Sequence, residues 1–171
     1  MTQFLNSLIQ IALLRKDPGI LPASIVLLVL TTAAFAGSSA LLSYMAFGGD
    51  RLWLRTAFDL GLTLVPFWLI LAVTGRSSRF WQTTTAVLGT AVLLTPLIVG
   101  ILLLHRLVAS TGPLRLLIGT GYLAVIFWYA LAVGHILRSA LEIAFLTGVA
   151  IALTWLFAGE VLATRLFAVP S

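Results

Sequence analysis

Residues 83–104 read TTTAVLGTAVLLTPLIVGILLL, a run of 22 residues without a charged side chain. As an α-helix rising ~1.5 Å per residue, this run covers the ~30 Å hydrocarbon core of a membrane. Because lipid offers the backbone no hydrogen-bond partners, such a run is expected to be helical. Four other apolar stretches are Ala23–Phe47, Ala57–Thr74, Leu116–Leu137 and Ile143–Thr164. The sequence therefore predicts an all-α integral membrane protein with five transmembrane helices.

The composition leaves little material outside the predicted spans. Of 171 residues, 61% are hydrophobic and 9% are charged, and the gaps between spans are too short for a water-soluble core. The net charge of +5 comes from basic residues beside the spans, a pattern typical of topology signals and headgroup contacts. The lipid bilayer is therefore the first predicted partner, and nucleic acid is not expected. The absence of cysteine excludes thiol catalysis and cysteine-ligated metals.

The first 16 residues are predicted to form an interfacial amphipathic helix, ahead of a single five-span bundle over residues 17–171. A cleaved signal peptide is rejected, because no positive n-region or cleavage site precedes the first span. Polar side chains recur at helical spacing at Gln3, Asn6, Ser7 and Gln10. Asp17-Pro18-Gly19 then ends the helix. This helix either orients the first span or offers a docking site to a partner.

The lysine and arginine counts of the two sides are equal. The N-terminal side carries Arg15, Lys16, Arg76, Arg79 and Arg138. The other side carries Arg51, Arg55, Arg106, Arg115 and Arg165. Because the first span usually dominates topology and two cations precede it, the N-terminus is predicted to lie inside.

Ionisable side chains inside or beside the spans are candidate functional groups, because a charge at the bilayer centre costs about 2.5–3.5 kcal/mol on insertion scales. Asp59 follows Arg55 by four residues, so a local ion pair is expected. Glu160 falls about one turn inside the last span. It either snorkels to the interface or serves a substrate or a proton.

A second polar group lies in the fourth gap, where a helical hairpin is expected around Arg138. The 49 residues from Leu116 to Thr164 cannot cross the membrane only once. On a continuous helix, His135, Arg138, Ser139 and Glu142 would share one face. Glu142 then either pairs locally with Arg138 or joins His135 in a proton relay.

No catalytic motif is present in the sequence. His105 and His135 are isolated, and two ligands without a third do not indicate a metal site. Ser43, Ser110 and Ser139 could serve an intramembrane protease, but none lies in a recognisable motif. The chain is therefore predicted not to be an enzyme, with no cofactor and no bound metal.

Small residues recur every fourth position in the last span, at Ala144, Gly148 and Ala152. Such a ridge lets another helix approach closely, either within the monomer or in a second copy.

Pro66 and Pro96 fall in the middle of the second and third spans and are predicted to kink them. Each frees a backbone carbonyl, for which a neighbouring helix, water, or the hydroxyl of Thr63 or Thr95 could supply a donor.

Two segments resemble bacterial members of the five-span Yip superfamily. They are Leu14-Arg15-Lys16-Asp17-Pro18 leading into Leu21-Pro22-Ala23-Ser24, and the hairpin GHILRSAL at 134–141 followed by Gly148. The resemblance implies a non-enzymatic scaffold or assembly factor of the bacterial inner membrane. Eukaryotic members bind small GTPases, but their aspartate-leucine-tyrosine-glycine-proline signature is missing here, so a GTPase partner is not expected.

The leading hypothesis is thus a membrane scaffold or accessory subunit whose partner is another membrane protein or a second copy. The alternative is a small proton-coupled transporter or channel subunit that uses His135, Arg138 and Glu142, with Glu160 as a further candidate.

Overall fold

The computed structural model describes residues 2–107 and 112–167, and Ser110 lies outside the described residues. The described part folds into α-helices joined by short connections, without a strand. The helices are α1 (Thr2–Ala12), α2 (Ile25–Phe47), α3 (Leu52–Val73), α4 (Phe80–Leu107), α5 (Pro113–Leu141) and α6 (Phe145–Phe167). Helices α2 to α6 are each long and apolar enough to span a membrane. The prediction of five spans preceded by a short N-terminal helix is confirmed.

Two spans are longer than the hydropathy pattern indicated. Helix α4 has 28 residues and α5 has 29, so both continue past the apolar runs through charged positions such as Arg106, Arg115 and Arg138. Continuing the helix satisfies backbone groups near the membrane, while long cationic side chains can reach the headgroups.

The hairpin between α5 and α6 breaks four residues later than expected. Arg138 lies in the last turn of α5, and the chain reverses after Glu142, whose backbone is left-handed (φ 53°, ψ 42°). The Glu142 N–H donates to the Arg138 oxygen, and Ile143 N–H donates to the same oxygen at 3.3 Å. This C-terminal cap ends the helix without glycine.

Helix α4 is the centre of the bundle, packing against α1, α2, α3 and α5, while α6 packs against α5. The buried core includes Phe67, Leu71, Val87, Ile136 and Leu137. We refer to the end of the bundle at which helices α2, α4 and α6 begin as the N-terminal end. The other end of the bundle is called the opposite end.

The crossing of α5 and α6 depends on two glycines. A Cβ atom on Gly134 would lie 2.7 Å from the Cα of Val149, and one on Gly148 would collide with the backbone oxygen of Gly134. Ala152 is fully buried one turn further along α6, whereas Ala144 is exposed and precedes the helix. The close contact within the chain therefore uses Gly148 and Ala152 but not Ala144.

Both prolines lie inside continuous helices, Pro66 in α3 and Pro96 in α4. The hydroxyls of Thr63 and Thr95, predicted as possible donors to the carbonyls that proline frees, donate to other backbone oxygens. Thr63 donates to the Asp59 oxygen at 2.9 Å, and Thr95 donates to the Ala91 oxygen at 3.0 Å. The carbonyls freed by proline are those of Leu62 and Val92, four residues before each ring. For Leu62 the donor comes from α6.

Helix α1 is docked on α4 and α5. Leu8, Ile11 and Ala12 are buried there, and Leu8 occupies the space left by Gly89, where a Cβ atom would lie 2.7 Å from Leu8 Cδ2. The indole of Trp128 donates to the Ala12 oxygen at 3.0 Å. The Gln82 amide donates to the Leu21 oxygen at 2.7 Å, so both ends of the segment that connects α1 to α2 are tied to the bundle.

The rest of the α1 surface divides into two faces. Leu5 and Ile9 of α1 and Leu13 directly after it are exposed and repeat at four-residue spacing, so they form an outward apolar face. The polar side chains of Gln3 and Asn6 lie on the next face and are also exposed. A helix with a docked, an apolar and a polar face fits the boundary between acyl chains and headgroups.

Candidate functional site

The four residues of the predicted polar cluster lie together at the N-terminal end. His135, Arg138, Ser139 and Glu142 line an open cavity of about 500 Å³. The segment that follows α1 contributes Arg15, Lys16 and Asp17 to the same cavity. The cluster is therefore larger than the hairpin alone and includes the N-terminal segment.

Glu142 does not pair with Arg138, so the predicted local ion pair is wrong. Its carboxylate binds Arg76 and Arg79, each at 2.7 Å. The reason is that α5 ends at Leu141, so Glu142 leaves the helical path that would place it one turn above Arg138. Arg79 also donates to the backbone oxygens of Ser139 and Ala140 at 2.9 and 3.1 Å. Glu142 and the two arginines thus join the α3–α4 connection to the end of α5.

His135 is almost completely buried and contacts the N-terminal segment. Its Nε2 atom lies 3.1 Å from the Lys16 oxygen and 4.0 Å from a carboxylate oxygen of Asp17. His105 lies near the end of α4, at the opposite end of the bundle, so the two histidines cannot share a ligand. Across residues 2–107 and 112–167, no three metal-ligating side chains of histidine or acidic type come together.

A second polar site, which we call the acidic cavity, opens at the opposite end. It has a volume of about 370 Å³ and contains Arg55, Asp59 and Glu160. Its remaining walls are Ser43 and Phe47 of α2, Phe58 of α3, and Ala163, Thr164 and Phe167 of α6. Helices α3 and α6, which are distant in sequence, therefore bring two carboxyl groups and one guanidinium group to one space, and α2 supplies part of its wall.

Asp59 and Glu160 lie at similar depth. Asp59 comes seven residues after the first residue of α3, and Glu160 comes seven before the last residue of α6. These helix ends both lie at the opposite end of the bundle. At ~1.5 Å per residue, each Cα is about 10 Å inside its helix end, or about one-third of the way through a ~30 Å core.

Asp59 and Arg55 have separate partners, so the predicted ion pair between them is wrong. The Ser39 hydroxyl of α2 donates to the Asp59 carboxylate. The Arg55 guanidinium instead lies over the rings of Phe47 and Phe167, with its central carbon 3.8 and 4.6 Å from their centroids. These cation–π contacts hold Arg55 against the aromatic wall, and its Nε atom is buried without a hydrogen-bond partner in the described part of the chain.

A narrower cavity of about 200 Å³ adjoins the acidic cavity on the inner side. The two share Ser43 and Asp59. The inner cavity reaches Thr95 of α4 and Tyr129 of α5 and is otherwise lined mainly by apolar side chains. An apolar cavity toward the middle of the bundle therefore adjoins the polar one, with Asp59 at the junction.

From the sequence alone, Asp59 and Glu160 are two separate candidates. Each is a lone carboxylate in an apolar run, and nothing in the spacing of residues 59 and 160 relates them to one another. The sequence signal that could have linked them is that both lie within apolar spans, because ionisable groups within spans tend to face cavities.

No protein-family model matches the chain, and no curated protein or solved structure matches it significantly. The five long apolar helices indicate a five-span integral membrane protein, and the resemblance to the Yip superfamily stays a prediction.

Proposed function

We propose that this chain is a small, non-enzymatic membrane transport protein, or the solute-binding subunit of one, that accepts a proton or a small cation in the acidic cavity. The observation that carries the proposal is the meeting of Asp59 and Glu160 in one cavity, each seven residues inside the end of a helix long and apolar enough to span a membrane. Ionised groups are costly in the hydrocarbon region and usually mark ion or substrate pathways.

The composition of the cavity favours a cation over an anion. Two carboxyl groups face a single guanidinium group, and that guanidinium group is already bound to two aromatic rings. Aromatic faces and hydroxyl oxygens, here from Phe58, Ser43 and Thr164, are suitable neighbours for a cation. A volume of about 370 Å³ is at the small end for ligand pockets, which indicates a small solute.

The experiment is ion flux in proteoliposomes that contain the purified chain. A proton gradient or a gradient of a monovalent cation is imposed, and flux is followed by a dye. We expect Asp59→Asn and Glu160→Gln each to reduce flux at least about tenfold, since each removes a charge that would stabilise the passing cation. Glu142→Gln is the matched control, because it neutralises a carboxylate at the N-terminal end and should leave flux unchanged.

Equal flux through wild-type protein, Asp59→Asn and empty liposomes would contradict the proposal. Loss of flux in Glu142→Gln alone would instead favour the polar cluster of His135, Arg138 and Glu142 as the pathway.

The second candidate function is a scaffold or accessory subunit that binds another membrane protein, as the Yip resemblance implies. One observation favours it: the bundle fixes α1 in place while leaving its polar face, with Gln3 and Asn6, exposed. Crosslinking in native membranes tests this candidate. A defined partner should be recovered with wild-type protein and with Glu160→Gln, but lost when Gln3 and Asn6 are both changed to alanine.

For location we propose the inner membrane of a bacterium, with the N-terminal end facing the cytoplasm. The support is the pair Arg15 and Lys16 ahead of the first span. A reporter that is active on only one side of the membrane, fused at residue 1, tests this orientation.

A further inference from the structure

Among the residues that the structure describes, three cations at the N-terminal end form no ion pair. The side chains of Arg15, Lys16 and Arg138 all line the cavity of about 500 Å³, and none makes an ion pair within residues 2–107 and 112–167. The other two basic residues of this end, Arg76 and Arg79, are bound to Glu142. The cavity therefore retains positive charge that the described residues do not neutralise.

The carboxylates near this cavity do not remove that charge. Glu142 lines the cavity but is shared by two arginines. Asp17 is the other carboxylate in the wall, and it lies 4.0 Å from the His135 ring. This end therefore carries five basic residues against two carboxylates, Asp17 and Glu142. The excess of positive charge favours the binding of an anion over that of a cation.

The cavity is built from two fixed walls. One wall is the last turn of α5, with His135, Arg138 and Ser139. The other wall is the segment after α1, which is held in place because His135 Nε2 lies 3.1 Å from the Lys16 oxygen and the Trp128 indole bonds to the Ala12 oxygen. The cations on both walls are thus presented to a common space before any ligand arrives.

The position of the cavity favours the membrane as the source of an anion. It lies at the membrane end where α6 begins, and α1, which leads directly into it, turns Leu5, Ile9 and Leu13 outward. An anion that enters here from the membrane would have its charged part among the cations and its hydrocarbon part against the apolar face of α1.

We propose that this cavity binds the phosphate-bearing headgroup of an anionic membrane lipid. Arg15, Lys16 and Arg138 would bind the phosphate oxygens, and the outward apolar face of α1 would contact the acyl chains. This site is separate from the acidic cavity and does not depend on the proposed transport function.

The test is native mass spectrometry of the full chain released from micelles that contain equal amounts of phosphatidylglycerol and phosphatidylcholine. Wild-type protein should retain phosphatidylglycerol in preference to phosphatidylcholine. Since a basic residue near the membrane surface contributes about 1 kcal/mol to binding anionic lipid, Arg138→Gln should lower this preference about fivefold. Arg165→Gln, which removes an exposed cation from the opposite end, is the matched control and should leave the preference unchanged.

Two further arms distinguish the outcomes. Arg138→Lys should retain most of the preference, which separates loss of charge from misfolding. Inorganic phosphate at millimolar concentration should fail to displace the lipid, because it lacks the acyl chains. The proposal is overturned if wild-type protein shows no preference, if Arg138→Gln and Arg165→Gln behave alike, or if free phosphate displaces the lipid completely.

Discussion

The indole nitrogen of Trp155 in α6 donates a hydrogen bond of 2.8 Å to the backbone oxygen of Leu62 in α3. Leu62 is four residues before Pro66, so its carbonyl is the one that proline leaves without a helical donor. The ring of Trp155 also packs edge-on against Phe67, with centroids 5.2 Å apart. A side chain 93 positions away thus satisfies the backbone defect and joins α3 to α6 near the core.

Trp155→Phe should destabilise the protein by about 1 kcal/mol, because it keeps a ring but leaves the Leu62 carbonyl without a donor inside the membrane. Pro66→Ala restores the helical donor. The Trp155→Phe change should therefore cost less in a Pro66→Ala background than in the wild type. Reversible unfolding in sodium dodecyl sulfate measures this double-mutant cycle, and simple additivity of the two changes would refute the assigned hydrogen bond.

The glycine contact between α5 and α6 gives a second prediction. Gly148→Ala places a methyl group against the Gly134 backbone, which cannot move aside as a flexible side chain could. We expect a loss of about 3 kcal/mol, at the upper end for overpacking. Gly119→Ala is the control on α5, where nothing lies within 4 Å of the added carbon. It should be neutral or stabilise by up to about 1 kcal/mol, since alanine favours helix. Equal losses in the two variants would contradict the close crossing.

The two arginines bound to Glu142 should differ in their contribution to stability. Arg76 makes one ion pair with a carboxylate whose side chain is 57% exposed, so Arg76→Gln should cost no more than about 1 kcal/mol. Arg79 also donates to two carbonyls at the end of α5, and Arg79→Gln should cost about 1 kcal/mol more than Arg76→Gln. Thermal unfolding in detergent at low and high salt compares them, and the Arg76 contribution should decline more with salt. Identical losses would show that the carbonyl contacts of Arg79 contribute nothing.

The helical spans could be predicted from sequence because hydropathy is a local property, and every apolar run long enough to cross lipid became a helix. The ion pairs could not be predicted in this way. Helical spacing predicted Arg138 as the partner of Glu142, but Glu142 pairs with Arg79 and Arg76, which are 63 and 66 residues away in sequence. These side chains meet only after the bundle forms. The end of α5 just before Glu142 was also not predicted, because the left-handed backbone there occurs at a residue other than glycine. The acidic cavity likewise depends on α3 and α6 meeting, which no local pattern encodes.

The docking of α1 gives a further prediction. Gly89→Ala should be tolerated, because the atoms nearest to the added carbon belong to the flexible side chain of Leu8. Gly89→Phe should displace α1, since a ring cannot share that space. Amide hydrogen exchange of residues 2–12 reports the displacement: protection should be lost in Gly89→Phe and kept in Gly89→Ala. Full protection in both variants would mean that α1 is held by other contacts.

The most direct test of the central claim is cysteine accessibility, and the natural absence of cysteine makes single substitutions clean reporters. Ser43→Cys lies in the acidic cavity, and Leu41→Cys, on the same helix, is an exposed position on the apolar surface. A thiol reacts with methanethiosulfonates only where water allows the thiolate to form.

If the acidic cavity is open to water, a cationic trimethylammonium reagent added from the opposite end will label Ser43→Cys but not Leu41→Cys. It should also react faster than an anionic sulfonate reagent of similar size. Adding Asp59→Asn should reduce this preference about fivefold, the effect of roughly 1 kcal/mol of charge interaction. A Ser43→Cys thiol that is as unreactive as the lipid-facing control, or that reacts with both reagents equally, would contradict the account.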